Sequence, residues 1–107
     1  MQPTDLYAQI VDDLRAQNAD VEESKMMGMP CVKRGGKVVI GFSAGTQTMA
    51  FKLPSEADRA NALALDGAQL FDPKGRGHPF KEWVEVPAQH AERWPELATL
   101  ALRHPAG

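Results

Sequence analysis

Between Val38 and Leu53 the apolar side chains occupy every second position in two runs: Val38, Ile40 and Phe42, then Met49, Phe51 and Leu53. A period of two is the pleat of a β-strand, whose successive side chains point to opposite faces. A helix would show steps of three and four instead. The runs are joined by SAGTQ, and the first follows RGGK at 34–37, a two-glycine hairpin signal because both glycines tolerate positive φ. Strands joined by short turns run antiparallel. This stretch therefore commits the chain to antiparallel sheet with a buried face that something else must cover.

The covering elements are readable on either side. Leu6, Tyr7, Ile10, Val11 and Leu14 recur at three- and four-residue steps, so a helix is expected to start near Thr4 and fade near Asn18. Residues 19–28 read as a polar connector. A strand begins near Met29, with Pro30 at its first residue or on an edge, where a missing amide proton is tolerated. Pro54 ends the third strand, and Ser55 with Asp58 reads as the cap of a second helix. Its apolar stripe would be Ala57, Ala60, Leu63 and Ala64, small enough for close approach to the sheet, with Gly67 at its C-terminal cap.

Leu70 and Phe71 read as a short strand, and KEWVEVP as a last one with Val84 and Val86 on one face, Trp83 and Glu85 on the other. Trp94-Pro95 opens a closing helix that buries Leu97, Leu100 and Ala101. The expected order is α-β-β-β-α-β-β-α over residues 1–107, a single α+β domain of two layers: an antiparallel sheet of about five strands with helices packed on it. Ile40, Phe51 and Val84 should share its buried face.

Composition narrows the classes. A hydrophobic share of 43% and a charged share of 24% are those of an ordinary globule rather than a disordered chain. The net charge of −2 is unevenly placed. Residues 1–23 hold six acids against Arg15, whereas residues 24–54 hold Lys25, Lys33, Arg34, Lys37 and Lys52 and no acid. Either the acidic helix faces the basic sheet edge within one molecule, or the basic segment meets an anionic partner. The single cysteine, Cys31, rules out an internal disulfide and asks for no oxidising compartment. MQPTDLYAQIVDD lacks the cationic-then-apolar order of a signal peptide, and no apolar run approaches the ~20 residues that span a bilayer. A cytoplasmic protein without membrane contact is the expectation.

SKMMGMPCVKRGGKVVIGF at 24–42, MAFKLP at 49–54 and FDPKGRGHPFKEWVEVP at 71–87 together resemble the TfoX N-terminal-domain family. Its members read Lys-Met-Phe-Gly before the hairpin, Lys-Leu-Pro after the third strand and Trp-Val-x-Val-Pro at the last. Met27 stands here for the phenylalanine. The similarity spans about residues 5–103; YjbR-like proteins are a weaker second match. The resemblance implies a two-layer fold like that of secretion chaperones. In some relatives it also implies regulation of natural competence, by proteins that carry a second, C-terminal domain. It implies no catalytic residues.

Candidate sites follow from residue types. The 73–81 loop offers Lys74, Arg76, His78 and Lys81 beside Gly75 and Gly77, and glycine amides with basic side chains can cradle an anion. GRGHP is neither of the common phosphate-loop patterns, so solvated charges on a strand connection are the competing reading. A basic face of Lys33, Arg34, Lys37 and Lys52 is a second candidate, with Thr48 and Ala50 beside it on the sheet's second face. Met26, Met27, Met29 and Cys31 bring soft sulfur ligands together, but methionine is the usual filler of irregular cores. His78, His90 and His104 are too scattered for zinc. Cys31 has Lys33 on its strand face but no histidine to activate it. Trp83 and Trp94 read as core or interface residues. No catalytic residue, metal or cofactor is therefore assigned. The expected function is a non-catalytic protein-interaction or regulatory module, a homodimer with a protein partner. Nucleic-acid or phosphate-ligand binding through the basic hairpins and the loop, or a small enzyme using that loop, is the alternative; a pI of 5.9 weighs against nucleic acid.

Overall fold

The computed structural model describes residues 2–26, 28–71 and 82–103. In chain order these form α1 (Pro3–Gln17), β1 (Val21–Met26), β2 (Met29–Arg34), β3 (Lys37–Ser43), β4 (Thr48–Lys52), α2 (Glu56–Leu63), β5 (Gln69–Leu70), β6 (Trp83–Pro87), a 3₁₀ segment (Ala88–Arg93) and α3 (Trp94–Arg103). The strands make one sheet in the order β1-β2-β3-β4-β6-β5, and every neighbouring pair is antiparallel. The fold is α+β, with helices packed on one face of six strands.

The expected core row is present. Ile40 lies opposite Phe51 and Phe51 opposite Val84, and all three are fully buried. Phe42, Met49 and Val86 form the next row. From the helix side, Tyr7, Ile10, Val11 and Leu14 of α1, Ala62 of α2, and Trp94, Leu97, Ala98, Ala101 and Leu102 of α3 close over them. Phe42 sits at the centre, with the Tyr7 ring stacked at 5.0 Å between centroids and Trp94 edge-on at 6.3 Å.

Four expectations are corrected. Residues 21–26 are not a connector but the outer strand β1, paired with β2 from Val21↔Arg34 to Met26↔Met29. An outer strand is wet on much of its surface, so Glu22, Glu23 and Lys25 are exposed and no apolar alternation marks it. The first helix does start near Thr4, at Pro3, whose fixed φ suits a first helical position. In α2 only Ala62 is buried, so the expected stripe of Ala57, Ala60, Leu63 and Ala64 is not its core face, and Leu63 is 37% exposed. Gly67 (φ 88°) lies three residues beyond the helix cap at Ala64. The Ser55 cap does form, its hydroxyl accepting from the Asp58 amide at 3.4 Å.

The last correction concerns Val38. A register shift between Val32 and Lys33 takes the pairing from Val32↔Ile40 to Lys33↔Val38, leaving Val39 as the extra residue of a β-bulge. Val39 and Ile40 both enter the core, while Val38 turns to the opposite face beside Met29. The hairpin before it has both glycines at positive φ, Gly35 at 60° and Gly36 at 82°, as a tight two-residue turn requires.

Candidate functional site

Alternation and register assign the residues of the sheet's second face, away from the helices. Met29, Cys31 and Lys33 come from β2, Val38, Gly41 and Ser43 from β3, and Thr48, Ala50 and Lys52 from β4. Trp83 and Glu85 come from β6, flanked by Gln69 and Phe71. Ala50, Phe71 and Trp83 form a small apolar cluster with Met29 and Val38 against it. The Phe71 and Trp83 rings tilt at 44° with centroids 6.2 Å apart, and Trp83 is 9% exposed. The tryptophan that sequence places on the far face from Val84 and Val86 is there, but it is packed rather than offered as a stacking platform.

The polar groups of this face are tied to one another. Glu85 accepts from the Thr48 hydroxyl through Oε2 and from the Gln69 amide through Oε1, each at 3.1 Å. Thr48 also shares a 2.8 Å hydrogen bond with Thr46. One hydrogen bond at each oxygen fixes the orientation of this carboxylate across the face. Lys52 lies 4.0 Å from Glu82 across the end of the face. Cys31 is fully buried, and burial pushes its thiol up, with Lys33 and the Ser24 hydroxyl pulling more weakly the other way. The reactive thiolate is thereby disfavoured.

The basic residues do not form one surface. Lys33 and Lys52 lie on the second face, whereas Arg34 and its partner Lys37 point to the helix side. Arg34 is committed there: its Nε donates to Asp20 at 3.0 Å and its Nη1 to the Leu102 carbonyl at 3.0 Å, near the end of α3. This pairing joins the acidic N-terminal segment to the basic hairpin within one molecule. Arg59 donates likewise to the carbonyls of Leu53 and Pro54. Lys74, Arg76, His78 and Lys81 lie outside the described residues, as does His104. His90 contacts the Asp66 carbonyl at 2.7 Å. Among the described residues no three His, Cys, Asp or Glu side chains converge as metal ligands would.

Among the described residues, two clefts open on the helix layer. One, about 380 Å³, runs between α2 and α3 with Asp58, Asn61, Arg93 and Glu96 above Ala62 and Leu97. Arg93 is paired with Glu96 there. The other, about 200 Å³, lies among Leu14, Asn18, Arg34, Thr99 and Leu102. Neither brings a nucleophile to a base. Two polar atoms of the core, the Tyr7 hydroxyl and the Trp94 indole nitrogen, have no hydrogen-bond partner among the described residues. Burial raises the Tyr7 phenol far above its usual range, and Glu23 and Cys31 raise it further. Sequence reasoning missed the Glu85 ladder and the Arg34 clamp, because both depend on strand register, which no local pattern encodes.

Neither a scan of protein-family models nor searches of curated proteins and of solved structures found a match to this chain. Among the described residues no helix is long and apolar enough to cross a membrane.

Proposed function

We propose that this domain is a non-catalytic interaction or regulatory module that works as a homodimer and engages a protein partner. The observation that carries this role is the commitment of three reactive side chains among the described residues to structure. Glu85 accepts two hydrogen bonds, Arg34 bridges Asp20 and α3, and Cys31 is buried with its thiol pushed up. An enzyme of this size would instead leave a nucleophile, a base and an orienting group in mutual reach. The three motifs that resemble the TfoX N-terminal domain support the regulatory side of the proposal. Nucleic-acid binding draws less support once Arg34 is neutralised by Asp20, since phosphate contacts need free cations on one surface.

The test is a thermal-shift screen of the full chain against nucleotides and phosphate esters, with turnover assays on the same compounds. A ligand that binds the native state raises the melting temperature with its concentration. No shift and no turnover are expected. A concentration-dependent rise, or turnover abolished by one polar substitution, overturns the proposal.

A further inference from the structure

We infer that β1 is the dimer edge, pairing antiparallel with β1 of a second copy about a two-fold axis through Ser24. This rests on the dimeric role proposed above and adds its interface and register.

β1 is first in the sheet order, so one side of its backbone has no strand beside it among the described residues. The opposite edge, β5, is only two residues long, whereas β1 has six. Unpaired strand edges invite another strand, and natural edges use charge to limit which one. Here the charges select. In a symmetric antiparallel pair, backbone groups that point outward must meet groups that point outward, so residue numbers of partners sum to an even value. The axis therefore passes through a residue.

Through Glu22, Glu23 or Lys25 it would set a charge against its own copy, which is unfavourable. Through Ser24 it sets Glu23 opposite the partner's Lys25, twice by symmetry, and a small hydroxyl against itself. Glu23 and Lys25 lie on the same face, opposite Val32 and Pro30 of β2, so their side chains meet. Both are exposed and neither appears in an ion pair within the described part of one copy, which leaves their charges for a partner of matching pattern. A second copy of this strand has that pattern. A two-fold perpendicular to the sheet also keeps both helix layers on one side, so the second face runs continuously across two copies.

Sedimentation velocity on the full chain reads the oligomeric state, and a cysteine at the axis reads the register. Paired Cα atoms in an antiparallel ladder lie about 4.5–5.5 Å apart, within disulfide range. Ser24→Cys is made in a Cys31→Ala chain, because Cys31 lies opposite Ser24 within one copy. It should give a covalent dimer on mild oxidation, while Glu22→Cys, roughly 14 Å from its own copy, should not. Glu23→Lys or Lys25→Glu alone should weaken the dimer about tenfold or more, and the double exchange should restore it. Circular dichroism confirms the fold of each variant. A dimer that stays uncrosslinked when the Ser24→Cys chain is oxidised, or that ignores both single exchanges, overturns the edge and register while the dimeric role stands. A monomeric chain overturns both.

Discussion

Tyr7 shows how one atom can oppose the fold that surrounds it. Its ring stacks on Phe42, yet its hydroxyl is buried without a partner among the described residues. Leaving such a group unpaired costs about 1–3 kcal/mol, while its ring contributes as a phenylalanine would. Tyr7→Phe should therefore stabilise the domain by about 1 kcal/mol, read as a higher urea midpoint at unchanged slope. The pH dependence has a definite sign. Burial raises both the Tyr7 phenol and the Cys31 thiol, so the unfolded chain loses these protons first. Stability is full below the ordinary thiol range, about pH 8.5, and falls as pH rises through it and through the phenol range near about 10. Cys31→Ala should remove the first part of that loss and Tyr7→Phe the second. At this scale the sequence is mute: it shows that residue 7 is apolar and helical, not that its hydroxyl lacks a partner.

Elements were legible where burial leaves a period. Helices α1 and α3 follow from three-four spacing. Strands β3 and β4 follow from large apolar side chains alternating with small or polar ones, although β4 is buried on both faces. β1 has little dry surface, and only Val21 of its described side chains is buried, so its residues read as a polar connector. The stripe assigned to α2 failed for another reason. Alanine is at home on wet and dry helix faces alike, so the alanines of α2 could not tell which side met the sheet. The bulge at Val39 interrupts the very alternation that announces the strand, and places Val38 opposite to expectation. Contacts between elements add what no single element shows. Arg34 ties the β2 hairpin to Asp20 and to the Leu102 carbonyl near the end of α3. An exposed ion pair adds little, but the bond to a helix-end carbonyl is worth more. Arg34→Ala should cost about 1 kcal/mol in chemical denaturation, and Asp20→Ala, which removes the ion pair and spares the carbonyl bond, should cost less.

For the whole molecule, the architecture was readable to within one strand, and the candidate site was not. Helices cover one face, and the other presents the Glu85 ladder and the Trp83 cluster. On the proposed reading the domain acts by presenting surfaces, and among the described residues its longest unpaired edge is β1. Amide hydrogen exchange along residues 21–26, followed as the chain is diluted, tests that directly. Amides pointing toward β2 should stay protected at every concentration, and the alternate, outward set should lose protection on dilution as the dimer dissociates. Outward amides that exchange equally fast at all concentrations would contradict edge pairing, and fast exchange of both sets would remove β1 from the sheet.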